Sequence, residues 1–309
     1  MPKAVVTGGA GFIGAHLVRR LVQEGIDVVV VDNMKRGSRD VLADLVGKGC
    51  VRLVEEDIRR LDMLADIVGG AATVYHLAAE SNVMGAVADP EYSITTNVLG
   101  TFNVLRSASK ASVPRVVFTS SREVYGDPTR LPVDEEHPLS AKNPYGASKV
   151  AAEAYCRTFS NRGGLSVQTV RLANVYGPGD HGRVIPLWLR AAQESRDLDV
   201  YGGGQIIDFL WVGTAVDALV CAAQRDLPGP VNIGSGVGTK ILDLAERVLA
   251  VTRSKSRIVR TAAREIEVAR FVADTRAMRS LGLAPEADPL QHLSEIVAAY
   301  APARSPGPA

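Results

Sequence analysis

Neither an excess of charge of one sign nor a cysteine framework occurs in this sequence. The 35 lysines and arginines balance 34 acidic residues for a formal charge of +1, so composition gives no basis for predicting a nucleic-acid or membrane partner. Only three cysteines occur, Cys50, Cys156 and Cys221. Because they are odd in number and lack the spacing of metal ligands, we expect reduced thiols, and we predict no metal site.

Long apolar runs are also missing. No run approaches the length of a membrane-spanning helix, and no charged segment followed by an apolar one precedes the first apolar strand. With the reduced thiols, this predicts a cytoplasmic protein that does not enter a membrane. What the chain does have is 309 residues that are 46% hydrophobic, enough for a packed core in one large or two moderate domains.

Strand and helix patterns alternate from residue 1 to about 172. Apolar runs predict strands at 3–7, 27–31, 51–55, 73–77, 115–119 and 166–172. Helical patterns fall at 12–24, 38–48, 60–68, 92–111 and 145–162. This alternation is typical of a parallel sheet with helices on both faces, so we predict an α/β fold with a doubly wound Rossmann domain at 1–172. Its ligand crevice should lie at the carboxyl ends of the strands.

The pattern changes after residue 172. The predicted elements are helices near 184–195, 214–224, 240–251 and 274–281 and strands at 206–212 and 231–233. No second glycine-rich fingerprint accompanies them. We therefore predict that 173–301 is mainly a smaller α/β substrate-binding domain, some segments of which return to the first domain. Residues 302–309 have nothing to bury and are predicted to form a flexible tail.

A glycine-rich turn, Thr7-Gly8-Gly9-Ala10-Gly11-Phe12-Ile13-Gly14, follows the first predicted strand. Gly8 permits a tight turn, Gly11 lets the backbone approach phosphate groups, and Gly14 lets helix and strand pack closely. The N–H groups that begin the helix then face a pyrophosphate. Asp32 ends the second apolar strand, where an acid binds the adenosine ribose and repels a 2′-phosphate, so we predict NAD rather than NADP.

A second stretch, Tyr145-Gly146-Ala147-Ser148-Lys149, carries acid–base chemistry. Asn143 can cap a helix here and Pro144 can begin it, which places Tyr145 and Lys149 on one helix face. A nearby ammonium favours the phenolate, so the tyrosine can act as a general base. Ser121 follows the fifth predicted strand and adds a hydroxyl donor.

Several further motifs accompany these two stretches. They are His76-Leu77-Ala78-Ala79, Asn97-Val98-Leu99-Gly100-Thr101, Ser120-Ser121 before Val124-Tyr125-Gly126, and Arg171-Leu172-Ala173-Asn174-Val175-Tyr176-Gly177-Pro178. Through them nearly the whole chain resembles the extended short-chain dehydrogenase/reductases, and specifically the nucleoside-diphosphate-sugar epimerase/dehydratase family. The resemblance implies an NAD-dependent 4-epimerase that converts a UDP-sugar through a transient 4-keto intermediate.

The resemblance also implies roles for individual side chains. Tyr145 would take a proton from a sugar hydroxyl while hydride passes to NAD, Lys149 would lower the tyrosine pKa and bind the nicotinamide ribose, and Ser121 would hold the reacting oxygen. Glu123 is the fourth catalytic candidate. The predicted cofactor site comprises Gly8, Gly11, Phe12, Ile13, Gly14, Asp32, Asn33, Asp57, Ile58, Leu77, Ala78, Ala79, Asn97, Tyr145 and Lys149. The predicted substrate site comprises Ser81, Ser121, Arg122, Tyr145, Asn174, Arg183, Val184 and Arg264.

Two departures from the family pattern leave the reaction open. Many relatives carry an arginine for the nucleotide where Ile207 stands, so either Arg183 or Arg190 replaces it or the diphosphate is held differently. Sugar 4,6-dehydratases place Asp-Glu where Arg122-Glu123 stands here, which removes the proton donor for dehydration. The related decarboxylases of nucleotide-linked uronic acids keep the glutamate.

These departures suggest a hypothesis about the substrate. Arg122 or Arg183 pairs with a C6 carboxylate, which makes the substrate UDP-glucuronate rather than UDP-glucose. In the competing interpretation Arg122 points away and Glu123 satisfies a backbone group. The alternative functions are UDP-glucuronate decarboxylase, NDP-sugar 4,6-dehydratase and a non-catalytic NAD-binding sensor. The family also implies a homodimer formed through the helices at about 92–111 and 145–162.

Overall fold

The computed structural model describes residues 1–161, 164–227 and 229–300. The tail predicted at 302–309 and the last residue of the helix predicted at 145–162 lie outside these residues.

The first part of the chain follows the predicted alternation. Its elements are β1 (Lys3–Thr7), α1 (Phe12–Gln23), β2 (Asp27–Asp32), α2 (Ala43–Gly47), β3 (Val51–Glu55), α3 (Leu61–Val68), β4 (Thr73–His76), α4 (Val83–Ala88), α5 (Pro90–Ile94), α6 (Thr101–Lys110), β5 (Arg115–Ser121), α7 (Pro144–Asn161) and β6 (Ser166–Leu172). A π-helical segment, Thr95–Gly100, joins α5 to α6, and 3₁₀ helices cover Arg39–Leu42 and Arg122–Tyr125.

The later elements are shorter. They are β7 (Asn174–Tyr176), α8 (Val184–Gln193), β8 (Leu198–Tyr201), β9 (Ile206–Trp211), α9 (Val212–Gln224), β10 (Val231–Ile233), β11 (Gly238–Lys240), α10 (Ile241–Thr252), β12 (Ile258–Thr261), α11 (Arg276–Ser280) and α12 (Leu293–Ile296), followed by a 3₁₀ helix at Val297–Tyr300. The sequence patterns do not predict β7, β8, β11, β12 or α12.

A seven-stranded parallel sheet confirms the predicted Rossmann fold. Its strand order is β10-β6-β5-β4-β1-β2-β3, so the chain reverses direction across the sheet between β1 and β4. Neighbouring residues of β1 serve opposite faces, because side chains alternate along a strand. Val6 belongs to one buried cluster with Leu17 of α1, and Val5 belongs to another with Leu105 of α6. Helices therefore bury both faces.

A second group of elements surrounds a core of its own. β11, β9 and β7 form one small sheet and β12 pairs with β8 in another. Ile185, Trp188 and Leu189 of α8 are buried with Leu244 of α10 and Leu293 of α12. The division of the chain at residue 172 stays a prediction, and β10, which lies beyond that residue, pairs with β6 in the large sheet.

No metal-binding cluster of three or more histidine, cysteine or carboxylate side chains occurs within residues 1–161, 164–227 and 229–300. Over the same ranges, no helix has both the length and the apolar character needed to cross a bilayer.

Candidate active site

A crevice of about 980 Å³ opens at the carboxyl ends of the parallel strands. Both groups of elements line it: Gly11, Asp32 and Tyr145 come from the large sheet and its helices, and Arg183 and Ile207 come from the smaller one. This is the position that the topology predicts, at the switch point beside β1 and β4.

The glycine-rich turn forms one wall of the crevice. At Gly8 and Gly14 a side chain would clash, for a different reason at each position. Gly8 has φ +72°, and a Cβ there would lie 2.6 Å from the Ala78 nitrogen. A Cβ on Gly14 would lie 2.1 Å from the Gly8 carbonyl oxygen, so only glycine lets α1 start this close to the turn. Gly11 is the N-cap of α1 and supplies no side-chain cap, which leaves the first N–H groups of the helix facing the crevice.

Asp32 lies at the last position of β2, on the crevice wall. One carboxylate oxygen accepts from the Ala10 N–H at 3.0 Å and the other from the Met34 N–H at 2.9 Å. Burial raises the pKa of this carboxyl, and the two N–H groups oppose that rise. The glycine-rich turn therefore helps to hold the carboxylate in place. Each carboxylate oxygen keeps a further lone pair that can accept a hydrogen bond from a ribose hydroxyl.

Hydrogen bonds between side chains connect the segments that follow β2 and β3. Asn33 donates to Asp57 at 2.9 Å and to the Tyr92 hydroxyl at 3.2 Å. Burial opposes ionisation of Asp57, but hydrogen bonds from Arg59 and Asn33 lower its pKa to about 2. Ile58 lines the crevice next to them.

Tyr145, Ser121 and Lys149 all line the crevice. Burial raises the pKa of the Tyr145 phenol, and the Ser121 hydroxyl opposes this rise by hydrogen bonding to it. The charge of Glu123 raises the pKa further, whereas those of Arg183 and Arg36 lower it. Ser121 is the last residue of β5 rather than the start of a loop.

Lys149 is buried one helical turn after Tyr145 in α7. Its ammonium donates to the Thr119 carbonyl at 2.8 Å and lies 4.8 Å from the centre of the Phe118 ring. Burial lowers the pKa of Lys149 to about 8. The side chain therefore carries its charge at neutral pH and loses it a little above. Asn143, whose side-chain Oδ1 accepts from the Gly146 N–H at 2.8 Å, caps the start of the helix that bears both residues.

Arg122 and Glu123 pair with each other inside the crevice. The guanidinium of Arg122 lies 2.8 Å from a carboxylate oxygen of Glu123 and donates to the side-chain Oδ1 of Asn174 at 2.7 Å. The second oxygen of Glu123 accepts from Asn143 at 2.7 Å. The structure thus differs from the competing interpretation, because Arg122 faces the crevice and Glu123 is satisfied by side chains.

The arginines of the outer wall are also paired. Arg183, directly before α8 and Val184, lies 3.2 Å from Asp180. Arg264 lies 3.1 Å from Glu267 and stacks on the Tyr201 ring with its guanidinium carbon 3.7 Å from the ring centre.

Two residues predicted to bind the cofactor, Asp57 and Asn97, do not line the crevice. Asn97 is 1% exposed, accepts from the Glu80 N–H at 2.8 Å and donates to the Ser148 hydroxyl at 2.8 Å. The polar atoms of these side chains bond to neighbouring segments, and their contact with the cofactor stays a prediction.

Every other predicted site residue lines the crevice, and so do several that sequence reasoning missed. Among them are Arg36, Glu56, Glu80, Tyr92 and Asp180. Arg36, Glu56 and Glu80 follow β2, β3 and β4 within a few residues. Because ligands bind beyond the carboxyl ends of the strands, the positions of these three residues just after predicted strands indicate that they belong to the site.

Comparisons with known proteins agree with this geometry. A profile of the NAD dependent epimerase/dehydratase family matches residues 4–234. The chain is 33% identical over 302 residues to a putative UDP-glucose 4-epimerase of Methanocaldococcus jannaschii, covering 95% of this chain and 96% of that protein. It is also 33% identical to UDP-glucuronic acid decarboxylase 1 of Arabidopsis thaliana, covering 81% of this chain and 58% of that protein.

Solved structures agree as well. UDP-glucose 4-epimerase from Thermotoga maritima with UDP-glucose superposes with a TM-score of 0.91 at 28% identity, covering 96% of this chain and 98% of that one. The structure of MoeE5 in complex with UDP-glucuronic acid and NAD gives a TM-score of 0.87 at 31% identity, with the same two coverages. The free N–H groups of α1, the close-packed glycines and Asp32 fit a dinucleotide. The chain therefore belongs to the NAD dependent epimerase/dehydratase family, with NAD as its cofactor.

Proposed function

We propose that the protein is an NAD-dependent 4-epimerase of a UDP-sugar, an isomerase that acts through a transient 4-keto intermediate. The observation that carries this proposal is the meeting of Tyr145, Ser121 and Lys149 in the crevice onto which the glycine-rich turn opens. The likeness to proteins described as UDP-glucose 4-epimerases, over nearly the whole chain, supports it.

In this mechanism Tyr145 accepts the proton of the C4 hydroxyl while Ser121 holds the same oxygen. NAD, which the glycine-rich turn and Asp32 would hold, would supply the hydride acceptor for C4 and the hydride donor for the other face of the 4-keto sugar. Burial works against the phenolate, but the Ser121 hydroxyl and the charges of Arg183 and Arg36 favour it. Lys149 is anchored at the Thr119 carbonyl one helical turn after Tyr145, and we propose that its ammonium favours the phenolate when the substrate is bound.

The sugar is either UDP-glucose/galactose or UDP-glucuronate/galacturonate. We propose that a C6 carboxylate, if present, pairs with Arg183 rather than Arg122. Arg122 already makes two short contacts and its side chain is 12% exposed, whereas Arg183 has one longer contact and is 36% exposed. A matched comparison of kcat/KM for UDP-glucose and UDP-glucuronate in Arg183→Ala and Arg122→Ala tests this. Equal losses on both substrates in both variants would remove the carboxylate hypothesis.

Incubation with a panel of UDP-sugars without added cofactor, followed by NMR of the products, tests the reaction itself. The 4-epimer is the expected product. Carbon dioxide and a pentose product would assign decarboxylation, which the retained Glu123 and the decarboxylase relative favour as the second candidate. A 4-keto-6-deoxy product would assign dehydration. NAD binding without turnover of any UDP-sugar would assign a sensor.

We propose that the enzyme is a homodimer. Ile94 of α5, Leu99 of the π-helical segment and Tyr155 of α7 are 57%, 48% and 42% exposed. Phe102 links α6 to α7, because the centre of its ring lies 5.6 Å from that of Tyr155 and 5.9 Å from that of Phe159. An apolar face that spans adjacent helices suits a second copy of the same face in a symmetric dimer.

The cytoplasm is the compartment that we propose for this enzyme. All three cysteines are free thiols, and Cys156 is buried in the core of the large sheet. Free thiols of this kind persist where the environment keeps them reduced.

A further inference from the structure

Six arginines among the described residues line the crevice, and they differ in how far a neighbouring carboxylate compensates their charge. They are Arg36, Arg122, Arg183, Arg190, Arg196 and Arg264. Arg122, Arg183, Arg196 and Arg264 each lie within hydrogen-bond distance of a carboxylate, at 2.8, 3.2, 2.7 and 3.1 Å. Arg190 contacts the His181 ring nitrogen at 2.7 Å and stacks on Tyr300.

Arg36 has a different environment. Within the described residues its guanidinium makes one hydrogen bond, to the neutral Ser81 hydroxyl at 2.7 Å. A carboxylate oxygen of Glu80 lies 3.8 Å away, beyond hydrogen-bond distance. A guanidinium is charged at every physiological pH and offers five N–H donors, so Arg36 retains most of its capacity to bind an anion.

The position of Arg36 indicates which anion. Its loop is fastened to the glycine-rich turn, because the Ser38 N–H donates to the Ala10 carbonyl at 3.2 Å and a Cβ on Gly37 would lie 2.9 Å from the Ala10 Cβ. From there the side chain of Arg36 crosses the crevice to Ser81, in the segment after β4. It also lies near Gly182, where an added Cβ would be 3.7 Å from its Nη2.

The glycine-rich turn supplies only part of the charge that a pyrophosphate needs. Residues Thr7 to Gly14 contain no lysine or arginine. The start of α1 offers N–H groups and a partial positive charge of about half a unit, against two negative charges on a pyrophosphate. A cation on the opposite side of the crevice would complete the site, and Arg36 is the arginine whose loop is attached to that turn.

We propose that Arg36 binds the pyrophosphate of the bound NAD, opposite the N-terminus of α1. The planar guanidinium can bind phosphate oxygens through one edge while it keeps its hydrogen bond to Ser81 through another. Arg36 then ties the loops after β2 and β4 together across the cofactor. It retains NAD between turnovers whichever sugar the enzyme converts, so this inference does not depend on the identity of the substrate.

The rate of NAD release from the loaded protein tests this inference. NAD that leaves is trapped by an excess of formate dehydrogenase with formate, and the NADH formed is followed by absorbance. We expect Arg36→Ala to release NAD about 10-fold faster or more, since a hydrogen bond to a charged group is lost. Arg36→Lys should fall between, because it keeps the charge without the planar fork. Arg39→Ala is the matched control, because Arg39 lies three residues further along the chain, pairs with Glu55 at the end of β3 and does not line the crevice.

Binding of ADP and of adenosine, measured by calorimetry on the nucleotide-free protein, separates phosphate binding from damage to the loop. Arg36→Ala should weaken ADP binding by about 10-fold or more and leave adenosine binding unchanged. Unchanged NAD release, or equal losses for ADP and adenosine, would overturn the inference. So would unchanged NAD release with weakened binding of UDP-glucuronate alone, because that result would assign Arg36 to the sugar carboxylate.

Discussion

At the scale of single residues, the site depends on opposing effects at Tyr145. Burial raises the pKa of its phenol, whereas a hydrogen bond from Ser121 and two guanidinium charges lower it. Tyr145, Ser121 and Lys149 are predictable from sequence because their spacing and their positions at a strand end and a helix start are local properties. The partners of Arg122 and Arg36 are not predictable in this way, because they depend on which strand ends become neighbours in the sheet.

Replacement of Tyr145 by phenylalanine tests its role as the base. The change removes only the hydroxyl, so we expect kcat to fall by roughly 10²–10⁴-fold while the free energy of unfolding changes little. Steady-state kinetics with the preferred UDP-sugar measure the loss, and bound NAD measured in the same preparation serves as the control. Turnover at the wild-type rate would show that another group takes the proton.

At the scale of elements, local patterns predict most bounds but not the way elements join. The helix predicted at 92–111 is divided into α5, a π-helical segment and α6. Within this stretch Gly100 lies against Ile58, where a Cβ would be 2.6 Å from the Ile58 Cδ1, and buried Asn97 donates to the Glu80 carbonyl. Such contacts arise between distant segments, so periodicity alone does not predict them. The short strands β7, β8, β11 and β12 are likewise too brief for a clear pattern.

The start of α1 gives one prediction at this scale. Gly14→Ala would place a Cβ 2.1 Å from the Gly8 carbonyl oxygen, so the helix must move away from the turn. We expect a fall in Tm of several degrees and weaker NAD binding, measured by thermal unfolding with and without NAD. Gly47→Ala in α2 is the matched control, because a Cβ there meets nothing within 4 Å. It should leave Tm unchanged or raise it slightly, and a similar fall in both variants would contradict the steric argument.

A buried histidine between β1 and β4 predicts how the stability of the fold changes at low pH. His76, at the end of β4, bonds to Thr7 at 2.7 Å and to Thr101 at 2.9 Å, and burial lowers its pKa from 6.5 to about 3. The unfolded chain therefore binds a proton at His76 that the folded protein does not take up until about pH 3. The resulting contribution to stability is lost as pH falls from 6.5 to 3.

Urea unfolding of wild type and His76→Gln over that pH range measures this contribution. We expect the variant to be less stable at pH 7, where it loses the histidine contacts, but to lose less free energy of unfolding as pH falls. Comparing the slopes of the two curves isolates His76 from the carboxylates that also titrate in acid. Parallel curves would show that the histidine does not stay neutral in the folded protein.

At the scale of the whole molecule, the α/β architecture and the place of its crevice follow from repeated strand–helix patterns, and the structure agrees with both. The composition of the outer wall does not follow from those patterns, because β7, β8 and β9 and the loops between them are brought together only in the folded chain. Experiments with labelled UDP-sugars therefore identify the reaction more directly than the residues of the outer wall do.

A charged side chain introduced into the apolar face of α5 to α7 tests the proposed homodimer. We expect Leu99→Glu to convert the dimer into a monomer, since a carboxylate without a partner would be buried at the interface. Sedimentation velocity measures the change in mass. Met63→Glu is the control, because Met63 is similarly exposed on α3, which is not one of the proposed interface helices. Wild-type protein that sediments as a monomer would rule out the proposed dimer.

The most direct test of the central claim uses a UDP-sugar that carries deuterium at C4. If Tyr145 and bound NAD oxidise and reduce that same carbon, NMR and mass spectrometry should show the deuterium still at C4 in the epimeric product, with no added cofactor. Loss of the label to solvent, or a product altered at C5 or C6 with C4 unchanged in configuration, would contradict this account.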